Sequence, residues 1–194
     1  MRKLIPTLVL LPALASGLAH ASDGPYVGGG LLLRHYDLQQ AGTTATKDSA
    51  KGHVLSGKLL AGFEFNEHWA LETGYLGFGK PGYDYLTTLG APGRLAVGGH
   101  AWYGALRASW DLGNPSWGGF VKLGADRLSQ EVSGSGAQVQ PAFSRRSTEL
   151  YVAAGLKYKL GPNAAVTVEL EHFGKQQAPG NALNGVSTGL QFKF

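Results

Sequence analysis

The sequence predicts an all-β chain that closes into an eight-stranded antiparallel up-and-down transmembrane β-barrel. Three observations predict it. First, the last ten residues alternate strictly: Val186, Thr188, Leu190, Phe192 and Phe194 fall on one face, and Gly185, Ser187, Gly189, Gln191 and Lys193 on the other. An apolar face backed by a small or polar one, ending on an aromatic residue, suits a closing strand between lipid and a polar interior. Second, the N-terminus reads as an export signal, with Arg2 and Lys3, an apolar run from Leu4 to Leu18, and Ala19-His20-Ala21 before Ser22. Third, no segment after Ala21 approaches the ~20 apolar residues of a spanning helix, so a membrane-integral mature chain would cross as strands.

The apolar run of the signal is short and broken by Pro6, Pro12 and Gly17, which disfavours an uncleaved anchor. Residues 1–21 are therefore expected to be a cleaved signal peptide and 22–194 a single barrel domain, with no linker or second domain. Composition agrees. Glycine numbers 30 of 194 residues and charged residues only 15%, yet mean hydropathy is just −0.08, as alternating apolar and polar faces give on averaging. There is no cysteine, which excludes a disulfide framework and thiol or Cys-metal chemistry. Cleavage removes Arg2 and Lys3 and no acidic residue, so the formal charge falls from +4 to +2. With no basic cluster interleaved with aromatics, nucleic acid is not an expected partner.

Along the mature chain, strands are expected near 25–37, 52–65, 69–79, 94–112, 117–132, 145–160, 164–174 and 185–194. Short turn-forming connections lie at Asn66-Glu67-His68, Gly113-Asn114-Pro115-Ser116 and Gly161-Pro162-Asn163, and long polar ones at 38–51, 80–93, 133–144 and 175–184. Alternating short turns and long loops fit a bacterial outer membrane barrel with both termini periplasmic.

Parity sharpens the expectation. With Glu64, Glu72, Arg107, Lys122, Lys157, Glu169 and Glu171 facing inward, the opposite parity includes Leu59, Phe63, Leu71, Trp102, Leu106, Leu123, Val152, Leu156, Val168 and Leu170, a set in which no charge appears. A Lys or Arg facing lipid at the midplane costs ~2–4 kcal/mol, so one misread strand would spoil this pattern. Phe65, Trp69, Trp110, Trp117, Tyr158 and Phe194 sit near strand ends, as an interfacial girdle does. A soluble barrel would instead hide an apolar interior behind a polar exterior.

Pro25-Tyr-Val-Gly-Gly-Gly30, the segment from Leu60 to Tyr75, Phe120-Val-Lys-Leu-Gly-Ala125 and the segment from Ala153 to Pro162 together resemble the transmembrane domain of the outer membrane protein A and opacity-type family. The resemblance spans nearly all of 25–194 and implies an eight-stranded barrel with an internal polar network. No peptidoglycan-binding domain is expected, in contrast to full-length members. It also implies that the terminal aromatic strand, with Val186, Leu190, Phe192 and Phe194, is read by the barrel assembly machinery.

An eight-stranded barrel is filled by its own side chains, so an open pore is not expected. The inward carboxylates and cations should pair with each other, with Glu72 opposite Arg107 if Trp69 pairs near Trp110. A structural or surface-interaction role for a monomer follows, without catalysis, cofactor or metal. At the outer rim Lys47, Lys51, Lys80, Arg94, Arg145, Arg146 and Lys175 outnumber Asp48, Asp84 and Glu149. The adjacent Arg145–Arg146 pair suits lipopolysaccharide phosphates and, equally, free solvation in loops. Long polar loops also suit a host-surface ligand. The alternative function is a lipid A-modifying enzyme. The stretch around His172 is faintly similar to lipid A 3-O-deacylases, which need a Ser two residues after the His, and here that position is Gly174. His35, His53, His68, His100 and His172 show no metal-ligand spacing.

Overall fold

The computed structural model describes residues 24–37, 43–45, 51–80, 82–87, 90–136, 143–174 and 181–194. The expected signal peptide lies outside these residues, as do parts of all four long connections. Among the described residues, ten strands run in chain order: β1 (Gly24–Asp37), β2 (Thr43–Ala45), β3 (Lys51–Glu64), β4 (Trp69–Phe78), β5 (Gly82–Thr87), β6 (Pro92–Asp111), β7 (Trp117–Gly136), β8 (Phe143–Lys159), β9 (Ala164–Phe173) and β10 (Asn181–Lys193).

Eight of these make the wall. Each pairs antiparallel with its neighbours in the order β6-β4-β3-β1-β10-β9-β8-β7, and the β6–β7 pairing closes the ring. Closure leaves no wall edge with unpaired backbone, which is what a strand structure needs in lipid. The first and last strands seal the seam: Tyr26 stands opposite Lys193 and Gly30 opposite Gly189, and the Phe194 amide donates to the Pro25 carbonyl at 3.1 Å.

The two further strands correct the sequence reading, which took 38–51 and 80–93 as loops. β5 continues along β6 beyond the end of β4, with Gly82 opposite Ala96 and Leu86 opposite Pro92, and β2 adds to β5 through Thr43–Ala45. β7 likewise runs to Gly136, past the expected end near 132. A flap of β2, β5 and the ends of β6 and β7 thus extends from the long-connection end of the wall.

At the opposite end the connections are tight. The Asn66 side-chain oxygen accepts from the His68 and Trp69 amides, both at 2.9 Å, and the Asn114 oxygen from the Ser116 amide at 2.8 Å. Gly113, with φ of 76°, takes the left-handed turn position that a side chain disfavours.

Burial alternates residue by residue along the wall, as over β4, where Ala70, Glu72, Gly74, Leu76 and Phe78 are buried and the residues between them are exposed or half-buried. The outward residues are apolar and large: Leu59 is 64% exposed, Leu123 60%, Leu170 64% and Trp102 55%. A continuous exposed apolar belt is unstable in water and stable in a bilayer. Phe65, Trp69, Trp110, Trp117, Tyr158, Phe192 and Phe194 ring its short-turn end, all exposed. Tyr75 and Trp102, with ring centroids 4.9 Å apart, mark the other end. Trp102 and Trp110 lie eight residues apart on β6. That is roughly 26 Å along a strand at ~3.3 Å per residue, or roughly 20 Å across the membrane at a 35–45° tilt, close to the ~25 Å band of such barrels.

Candidate functional site

The interior is built by the inward half of each alternation. Every wall strand contributes: Tyr26 from β1, Lys58 and Glu64 from β3, Glu72 from β4, Tyr103 and Arg107 from β6, Lys122 from β7, Tyr151 and Lys157 from β8, Glu169 and Glu171 from β9, and Ser187 and Lys193 from β10. These form one connected chain of polar contacts down the barrel axis.

At the long-connection end, Glu171 accepts from Tyr151 at 2.7 Å and from Ser187. Lys58 joins Glu171 at 2.8 Å to Glu169 at 3.0 Å. Lys122 then joins Glu169 at 2.8 Å to Glu72 at 2.6 Å. Two phenols close on Glu72 from the sides, Tyr26 at 2.8 Å and Tyr103 at 2.6 Å. Arg107 lies 3.9 Å from Glu72 and pairs directly with Glu64. Glu64 finally meets Lys193 at 2.6 Å and Lys157 at 3.5 Å at the short-turn mouth, beside a vestibule of about 420 Å³.

The central members, Lys58, Arg107, Lys122, Glu72, Glu169 and Glu171, are each at most 4% exposed. Three cations meet three carboxylates, so the buried charge balances where an unpaired ion would be expensive. The phenols fit because glycines leave room: a Cβ at Gly62 would overlap the Tyr26 ring, and one at Gly74 the Tyr103 ring. Tyr103 and Tyr151 also stack, with centroids 4.4 Å apart, and fill the middle of the lumen.

The expected Glu72–Arg107 geometry needs correction. Trp69 stands opposite Ala108, Ala70 opposite Arg107, and Glu72 opposite Ala105. The two side chains are therefore diagonal neighbours, and Arg107 leans to Glu64, with Tyr26 4.8 Å below its guanidinium. The sequence reading also missed Lys58, although it shares the parity of Glu64 on the same strand. It missed the three phenols, Tyr26, Tyr103 and Tyr151, whose inward position rests on the same alternation, while Ser187 lies on the polar face of the closing strand where the alternation puts it. Toward the long-connection end, buried Arg34 stacks over Phe78 at 3.9 Å and buried Asp126 faces inward; neither has an ion pair among the described residues.

The other candidate positions lie on the outward side. Val186, Leu190, Phe192 and Phe194 are exposed on the lipid-side face of β10 and its end, and Gln191 is buried. Arg146 is exposed on the outward face of β8; the side chain of Arg145 lies outside the described residues. A second cation on the same face as Arg146 comes from the next strand. Thr148 stands opposite Arg127 and Arg146 opposite Ser129, so Arg127 and Arg146 are diagonal neighbours on one face, ~7–8 Å apart. Arg127 sits level with Trp102, the residue opposite it on β6. Neither arginine has an ion pair among the described residues, whereas Lys80 lies 3.7 Å from Glu131 and Arg94 3.2 Å from Asp84.

His172 shares a hydrogen bond with Asn184 through its Nδ1, and among the described residues that line the groove beside it none carries a hydroxyl or thiol. Among the described residues no group of three or more His, Asp or Glu could hold a metal ion.

A closed antiparallel ring with a greasy outside and a charged inside is the pattern that a family model of the outer membrane protein beta-barrel domain captures, and that model matches residues 6–194. This chain belongs to that family. Solved structures agree on the fold. The attachment invasion locus protein Ail of Yersinia pestis, in complex with the heparin analogue sucrose octasulfate, aligns with a TM-score of 0.53 at 15% identity over 89% of this chain and 99% of its own. The N-terminal β-barrel domain of Pseudomonas aeruginosa OprF gives 0.53 at 14% identity, over 89% and 99%. OprG of the same organism gives 0.55 at 14%, over 89% and 97%. Comparison with curated proteins returned no match. As a member of an outer membrane family, the chain is an outer membrane β-barrel.

Proposed function

We propose that this barrel is a monomeric, non-conducting envelope protein whose work is done by its outward rim: contact with lipopolysaccharide and with anionic surface ligands such as those of a host. The polar chain from Glu171 to Glu64 carries this reading, because it occupies the lumen from end to end and leaves function to the outside. The short-turn end, which also holds Phe194, would face the periplasm, so that the flap of β2, β5 and the ends of β6 and β7 points outward.

The rim has the chemistry for anions. Arg127 and Arg146 are diagonal neighbours at the upper aromatic belt, neither with an ion pair among the described residues, while Glu131, the other diagonal neighbour of Arg146, lies 3.7 Å from Lys80; guanidinium forks match phosphate and sulfate oxygens. Ail was crystallised with a polysulfated sugar; at this identity the likeness speaks for the fold, and the two arginines carry the argument here. Catalysis on lipid A has no observation in its favour: the position two residues after His172 is Gly174, and among the described residues lining the adjacent groove there is no hydroxyl nucleophile.

Binding of lipopolysaccharide and of heparin to the refolded protein tests the reading. Arg127→Gln with Arg146→Gln should weaken both about tenfold, the size of one lost charge-assisted contact, and shift the loss to lower salt. Unchanged binding would contradict it.

A further inference from the structure

A second outward feature lies on the strands next to the arginine rim, where β8, β9, β10, β1 and β3 adjoin. A groove of about 570 Å³ opens there, walled by Leu33, Val152, Leu170 and Val186. Its cause is local. The β1–β10 register slips between Arg34, opposite Gly185, and Tyr36, opposite Asn181, so that β10 carries extra residues at this point and bulges. Ala154 and Gly185 then leave the floor low between larger neighbours.

The groove is graded in the strand direction, over the two outward rows that line it. Its inner row, Leu33, Val186, Leu170 and Ala154, is aliphatic and continuous with the exposed belt, with buried Glu171 between the two rows. Its end toward the long connections is polar. His35 and His53 stand opposite each other with rings edge-on at 5.3 Å, and His172 stands opposite Asn184, whose amide orients the imidazole. Three imidazoles and an amide offer both donors and acceptors, which suits sugar hydroxyls and phosphate oxygens. An amphiphile with its head outward and its tail in the bilayer matches this gradient.

We propose that the groove seats one acyl chain of an outer-leaflet glycolipid of the lipid A type, with its sugar-phosphate head held by His35, His53, His172 and Asn184. This goes beyond the arginine rim, which is a separate surface on β7 and β8. It rests on the reading above that the long-connection end faces outward.

Native mass spectrometry of the folded protein, with lipid A and phosphatidylethanolamine added in equal amounts, tests it. The protein should retain one lipid A, Ala154→Trp should fill the groove and lower retention at least tenfold, and Ala125→Trp, on an exposed lipid-side position of β7, should leave it unchanged. His172→Ala should lower it several-fold without loss of heat-modifiable folding. Equal retention by the two tryptophan variants would overturn the groove, and selective loss of phosphatidylethanolamine instead of lipid A would overturn the glycolipid. Orientation is read separately. The chain has no native cysteine, so Ser133→Cys at the long-connection end should react with an impermeant maleimide on intact cells. Failure to react there, with a groove that still discriminates the variants, would overturn the outer-leaflet assignment alone.

Discussion

Lys122 is the pivot of the interior because its ammonium, 1% exposed, is shared by Glu72 and Glu169. Removing it leaves two buried carboxylates facing each other without their common counterion. Lys122→Met should therefore cost about 3–5 kcal/mol of folding free energy, read from urea unfolding in lipid vesicles. Adding Glu169→Gln should recover a large part, since Lys58 keeps Glu171 and Glu72 keeps its two phenols. A loss under about 1 kcal/mol would show that the bridge is not felt. Gly74 is the second sensitive residue. A methyl there collides with the Tyr103 ring, so Gly74→Ala should cost about 1–3 kcal/mol as overpacking, and Tyr103→Phe in the same background should not restore it, because the ring and not the hydroxyl is displaced. The inward charges could be read from parity alone, since one misplaced charge on the lipid side is prohibitive. The phenols were harder to find, because a tyrosine suits a lumen, an interface belt or a loop equally well, so that its residue type alone does not point inward; the parity it shares with Arg107 is what puts Tyr103 in the lumen.

At the scale of the strand, the closing element β10 concentrates the consequences. Its outward residues Val186, Leu190, Phe192 and Phe194 meet the bilayer, and Phe194 also ties the seam to Pro25. Deleting Phe194, or replacing it with a polar residue, should lower the inserted, heat-modifiable fraction in cells far more than the same change at Gln191, which faces the lumen. Equal yields would mean that the assembly machinery does not read this terminal face. The wall strands were legible in the sequence because a two-residue period bounded by Asn, Gly and Pro turns is a strong signal, and the turns at Asn66, Asn114 and Asn163 mark their ends to within a few residues. The flap was not. β2 is three residues long and β5 six, they lie outside the bilayer where neither face must be apolar, and without that demand the alternation weakens. Register was equally hidden: aligning Trp69 with Trp110 by their shared interfacial role missed the offset of the tilted ladder, which places Trp69 opposite Ala108.

For the whole molecule, closure and filling are one fact seen from two sides. Eight tilted strands enclose a lumen just wide enough for side chains, and the sequence supplies balanced charges, stacked tyrosines and phenol-capped carboxylates to fill it. The family and fold follow from this architecture, and the barrel is left with its outer rim and lipid-facing surface as places to act. The polar chain from Glu171 through Lys58, Glu169, Lys122, Glu72 and Arg107 to Glu64 is expected to seal the lumen. Single-channel recording of the folded protein in planar bilayers measures this. A quiet membrane with no stable openings is expected of the intact protein, and persistent nanosiemens-scale currents would show that the chain of side chains does not close it.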